Sequence, residues 1–366
     1  MAALIAFGSF GCATTSSTMP NSPQASLKDE VLNVSGAAYD ASSIVEGPVV
    51  LYATDQSIEV QILPTVEQTQ NQHLLTIPAN KPSEIQWDTS RSIFWVETTP
   101  LEQNSAKNIY TLYAYTLETG EQQQLYASTE RIHHIGSSSN GELLSFIEQD
   151  ALYTVNPDNK QVHRLAQDVT EYAWSPNIVS VVYSTSASTM HVNFAANTSV
   201  ASTVDVLDEA TNPLQGAAFM NQQTLVGFIS SMEDTTAQFL TIDLTAGTRE
   251  DIAQWKKTEE RFTTTISPDG KKVAVQQWNE NDEFGTLEFY TFQTGTHEKL
   301  DSSIAGVRVL GWANEKALVI ATPAADTSTT DDRVDIQLYS LTDGTAQLIV
   351  SGVRTAVFID PTNYRL

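Results

Sequence analysis

A single cysteine, Cys12, stands in 366 residues. One thiol cannot close an intramolecular disulfide, and four-cysteine zinc sites are excluded. Cations are scarce as well: 19 Lys and Arg face 44 Asp and Glu, for a formal net charge of −25. Phosphate backbones and anionic head groups are held by clustered cations, so nucleic acid is not expected as a partner. Long apolar runs are missing beyond the N-terminus, where nothing approaches the roughly 18 residues of a membrane span. Gly-x-Ser-x-Gly is absent; the nearest string, "GSSSNG" (136–141), has the wrong spacing for a nucleophile elbow. The histidines are His73, His133, His134, His163, His191 and His297, and no His-Glu-x-x-His occurs among them. "NENDE" (279–283) gathers carboxylates but lacks the Asp-x-Asp-x-Asp-Gly frame of a calcium loop. No catalytic activity, metal or other cofactor is therefore expected.

What the chain does have is a repeat. "TISPDGKKVAVQQW" (265–278) runs an apolar lead into Ser-Pro-Asp-Gly and then into a short β-type run. Related segments are "IQWDTSRSIFWVE" (85–97), "GSSSNGELLSFIE" (136–148), "AWSPNIVSVVYS" (173–184), "AFMNQQTLVGFIS" (218–230), "GWANEKALVIAT" (311–322) and "VFIDPTNYRL" (357–366). Their heads fall at Trp87, Ser137, Trp174, Phe219, Ile266, Trp312 and Phe358, a mean spacing of about 45 residues, which suits one four-stranded propeller blade. A second signal lies at constant phase between them. "YAYTLETGEQQQL" (113–125), "LYTVNPDNKQVHRL" (152–165), "LTIDLTAGTREDI" (240–252), "LEFYTFQTGTHEKL" (287–300) and "IQLYSLTDGTAQLI" (336–349) alternate apolar and polar, break, and resume. The breaks at Thr-Gly, Asp-Asn, Ala-Gly or Asp-Gly predict tight hairpins between third and fourth strands. Period-two alternation disfavours a helical solenoid. Trp87, Trp174 and Trp312 share a repeat position, which predicts packing between blades rather than a sugar-stacking surface.

These motifs resemble the TolB-type and WD-type β-propellers over residues 40–366, with the best match at 266–300. The expected fold is all-β: seven four-stranded blades. "GVRTAVFIDP" (352–361) reads as an inner strand without the rest of its blade, and "GPVVLYATDQSIEVQIL" (47–63) as second and third strands without a first. The economical arrangement has the C-terminal strand complete the first blade; the alternative places 31–40 there. The resemblance implies a role in envelope assemblies through protein contacts. TolB-like proteins also carry an α/β domain ahead of the propeller, for which the residues before 40 leave no room.

The N-terminus reads separately. "ALIAFGSFGC" (3–12) followed by "ATTSSTMPNSPQAS" (13–26) is an apolar core, small residues and a polar tract. Ser-Phe-Gly-Cys resembles the lipobox of bacterial lipoproteins, and that resemblance makes Cys12 the lipidated residue, 1–11 a signal peptide and 12–39 a tether and linker. Cleavage without lipid, or an ordinary apolar N-terminus, are the other readings of the same residues. The expectation is an exported, membrane-anchored protein, periplasmic or cell-surface, with Ala13 favouring the outer membrane and the lipid as its sole membrane contact.

Long, varied connections between second and third strands place Glu102, Glu233, Asp234, Glu280, Asp282, Glu283, Asp326, Asp331 and Asp332 at one end of the ring. Loops on a rigid scaffold are where recognition sits, so this rim is the candidate docking surface for an envelope protein, a cationic one by charge. The plainer reading is solvated loops. A small-ligand, glycan or cation binder using the same face is the alternative function. His133 and His134, in an inner strand, are channel candidates; strand alternation predicts that their side chains part to opposite faces. A closed ring of this kind is expected to act as a monomer.

Overall fold

The computed structural model describes residues 49–63, 72–87, 92–101, 107–176, 179–194, 200–205, 212–230, 234–259, 261–279, 284–299, 306–324 and 333–359. Among them are twenty-eight strands, β1 to β28 in chain order, and no helix. They form seven four-stranded antiparallel sheets. Six are consecutive meanders whose inner strands are β4 (Pro82–Trp87), β8 (Ile132–Ser137), β12 (Val169–Trp174), β16 (Gln215–Phe219), β20 (Arg261–Ile266) and β24 (Arg308–Asn314). The seventh orders β28 (Thr355–Ile359), β1 (Val49–Ala53), β2 (Ser57–Ile62) and β3 (Gln72–Pro78) side by side. Each inner strand touches the inner strand of the next sheet, and β28 touches both β24 and β4, so the chain is a seven-bladed β-propeller. Closure is by the C-terminal strand: β28 pairs antiparallel with β1 from Val49↔Ile359 to Ala53↔Thr355. This leaves no open inner edge on the first blade.

The core is divided among the blade interfaces. Among the described residues there are seven apolar clusters, and each joins residues of two neighbouring blades. The reason lies in the second strands, which are buried on both faces. In β5 (Ser92–Pro100), Trp95 packs toward the first blade and its neighbour Phe94 toward the third. Continuous runs such as "SIFWV" thus read as doubly covered strands. The fourth strands are the opposite case: β23 (Thr296–Lys299), Thr-His-Glu-Lys, is exposed throughout, and its charged side chains guard the outer edge. The fifth and sixth blades share an aromatic stack, with Phe228 and Phe262 at 4.2 Å and 12° and Trp255 set edge-on to Phe228.

The Ser-Pro-Asp-Gly turn works as its composition suggests. Gly270 takes a φ of 67°, the Ser267 hydroxyl donates to Asp269 at 2.7 Å, and the Lys271 N–H donates to Asp269 Oδ1 at 3.1 Å. One outer turn departs from expectation. In the third blade the left-handed residue is Lys160 (φ 57°) rather than Asn159, because Asn156 already closes the turn by accepting the Lys160 N–H at 2.8 Å. The tryptophans do pack between blades. Trp312 Nε1 donates to the Thr265 carbonyl at 2.9 Å, and Trp174 Nε1 to Ser145 Oγ at 2.7 Å, each reaching the preceding blade.

Candidate functional site

In every blade the inner strand starts at the same end of the ring as the second-to-third connection, because consecutive strands are antiparallel. Of the predicted rim, Asp234 is described: it is exposed between β17 (Thr224–Ile229) and β18 (Thr236–Asp243). Glu102, Glu233, Glu280, Asp282, Glu283, Asp326, Asp331 and Asp332 lie outside the described residues, as does Cys12.

The inner strands enclose a cavity of about 490 Å³ along the ring axis. Its wall comes from β4, β8, β12, β24 and β28, and its charged side chains are Glu84, Glu171 and Arg308, with His134 among them. Neither glutamate nor the arginine was singled out from the sequence. A signal was nonetheless present: Glu84-Ile-Gln-Trp87 and Glu171-Tyr-Ala-Trp174 repeat Glu-x-x-Trp at one phase of the blade. Around the ring Arg308 enters two blades from Glu84 and three from Glu171. The wall is thus polarised, with two acids on the arc of β4 to β12 and Arg308 on the far arc.

The two histidines do not part as strand alternation predicts. His134 adopts a φ of 50°, and the register of β8 against β9 (Leu144–Glu148) slips between His133 and Gly136. A bulge of this kind re-aims one side chain, and it brings the imidazoles together with Nδ1 atoms 3.0 Å apart. The Tyr172 hydroxyl of the next blade donates to the His134 carbonyl and holds the kink. His134 is exposed at the channel surface, yet protein walls its ring closely. That desolvation, then His133, Arg131 and Arg261, lowers its pKa to about 4, so at neutral pH it is an uncharged imidazole.

Glu171 is set by a second bulge, in β16. Gly216 takes a φ of 59°, and a Cβ there would sit 2.9 Å from the Phe262 carbonyl oxygen, so only glycine fits. The slip between Gln215 and Ala218 frees the Gly216 N–H from the ladder, and Glu171 Oε2 accepts it at 3.0 Å across the blade interface. Burial pushes the carboxyl up to about 7, against the Gly216 and Ala217 N–H groups and Arg261, which pull it down. Only the Gly216 contact has hydrogen-bond geometry; Oε1 is buried without a hydrogen bond. Arg261, at the start of β20, lies over the ring of Trp278 at 5.6 Å and within electrostatic reach of both Glu171 and His134.

No family model and no curated protein matches the chain. Solved structures resemble it in fold. TolB from Acinetobacter baumannii is 14% identical over 84% of this chain and 82% of its own, with a TM-score of 0.46. The β-propeller domain of the Trilobed protease from Pyrococcus furiosus is 12% identical over 74% and 85%, at 0.48. Tricorn protease is 10% identical over 82% of this chain, at 0.37, and the chain spans 28% of its length.

Proposed function

We propose that this chain is an exported, lipid-anchored binding module that holds an envelope protein at the end of the ring where the inner strands begin. The observation that carries this reading is the construction of that end. A closed ring of seven inner strands surrounds a polarised cavity of about 490 Å³, and the second-to-third connections gather at the end where those strands begin. The rigidity comes from interfaces such as Trp312 to Thr265 and Tyr172 to His134, which fix the blades against each other. Lipidation at Cys12 would hold the protein at the membrane. A chain of net charge −25 favours a cationic partner approaching over the acidic connections.

Crosslinking and affinity capture from native cells, comparing the wild type with Cys12→Ser, tests both parts. A specific envelope protein captured by the wild type, with the wild type in the membrane fraction and the variant released from it, supports the reading. Wild-type protein found wholly in the soluble fraction removes the anchor. Capture of no protein above background by either form removes the partner.

The cavity also favours a second reading, a small-ligand binder, because its wall carries both signs of charge on facing arcs.

A further inference from the structure

The central cavity has a chemistry specific enough to name a ligand class, and this inference stands apart from the anchor and the protein partner. A purely cationic ligand would meet Arg308, and a purely anionic one would meet Glu84 and Glu171. Either would bring the ligand's charge up to a wall group of its own sign, which disfavours it. A ligand that carries both charges and lies across the axis meets each arc with its complement. We infer that the channel binds a small zwitterion, its ammonium group against the β4–β12 arc at Glu171 and Glu84 and its carboxylate against Arg308.

One further observation supports this orientation. Glu171 Oε1 is buried and lacks a hydrogen bond, and an acceptor in that state calls for an N–H donor; an ammonium group supplies three. Across the axis, Arg308 on β24 supplies the positive charge that would face the carboxylate. A guanidinium there can take a carboxylate through two parallel hydrogen bonds. His134, neutral at the wall, adds hydrogen-bonding capacity without upsetting either charge match. The volume, about 490 Å³, suits an amino acid or a short peptide rather than a macromolecular segment.

The test is calorimetric titration of the full chain, above neutral pH, with L-alanyl-L-alanine, its N-acetyl form, its C-terminal amide and free L-alanine. Dialanine should bind saturably, and blocking either end should weaken binding by about tenfold or more. Glu171→Gln should reduce dialanine to the level of the acetylated peptide while leaving the acetylated peptide unchanged. Arg308→Gln should do the same with respect to the amide. If a variant fails to fold, judged by its melting curve, the blocked peptides on the wild type decide alone. Whichever of dialanine and free alanine binds more tightly identifies the source as peptide termini or free amino acid. Equal binding of blocked and unblocked peptides overturns the inference. So does the absence of saturable binding by both zwitterions at millimolar concentration. Loss of a captured envelope protein leaves these titrations untouched, so the two readings fail separately.

Discussion

Asp55 accepts Arg354 through Oδ1 at 2.9 Å and Arg333 through Oδ2 at 2.5 Å, joining the turn between β1 and β2 to residues 299 and 278 positions away. Arg354 immediately precedes β28, and Arg333 immediately precedes β26 (Val334–Ser340) of the last sequential blade. The carboxylate therefore ties the closing strand, its partner strand and the neighbouring blade at one point.

Breaking this tie should loosen the closure first. Asp55 is 42% exposed, so solvent screening limits the loss for Asp55→Asn to about 1 kcal/mol. The effect should be local, with faster amide exchange in β1 and β28 than in β20. The arginine hydrogen bonds hold the Asp55 pKa below its ordinary 3.8, so its contribution is present above that value and disappears as pH falls through the lower folded one. The Asp55→Asn penalty should be constant from neutral pH to mildly acid conditions and shrink only in strong acid. A penalty that already shrinks near neutrality would contradict this.

Glu171 has the opposite sign. Its folded pKa, about 7, lies above the ordinary 4.5, so the folded state binds the proton more tightly. Stability should be highest below 4.5 as far as this residue is concerned, and should fall as pH rises through 7, by up to about 3 kcal/mol. Urea midpoints measured across this range should decline for the wild type and stay flatter for Glu171→Gln. Parallel curves would remove Glu171 as the source.

Gly216→Ala places a Cβ 2.9 Å from the Phe262 carbonyl in a left-handed conformation. The expected cost is about 1–3 kcal/mol in denaturant unfolding. Because the Gly216 N–H also holds Glu171, the same change should alter the carboxyl's titration, read by the carbon resonance of labelled glutamate.

Phe228→Ala removes a ring stacked on Phe262 and edge-on to Trp255, in a residue with no exposed surface. The cavity left should cost about 3–5 kcal/mol. Trp312→Phe keeps most of the volume and loses the bond to Thr265, for about 1 kcal/mol. Similar losses for the two would mean that the interfaces depend less on packing than their burial implies.

Much of the architecture was legible in the residues. The seven hairpin heads, the Gly-containing turns and the unpaired runs at each end led to seven blades and a C-terminal closing strand. These are local signals: turn dihedrals and period-two alternation act within a few residues. The candidate site was legible only in part. His133 and His134 drew notice by identity, but strand alternation separated them, and the bulge that joins them depends on Tyr172 in the next blade. Glu84 and Glu171 passed as ordinary strand residues, although Glu-x-x-Trp marks both.

The sequence by itself determined the number of blades and the turn chemistry, because each follows from short-range backbone preferences repeated at a fixed period; it only favoured the C-terminal strand for closure, and the pairing of β28 with β1 decided it. Only the tertiary structure decided which charges meet. Glu84, Glu171 and Arg308 come from three different blades, and no local rule sets how three repeats face one axis. Their arrangement arises from ring closure, and the elevated pKa of Glu171 from the protein packed around it, whose exclusion of water raises the carboxyl more than the Gly216 and Ala217 N–H groups and Arg261 lower it.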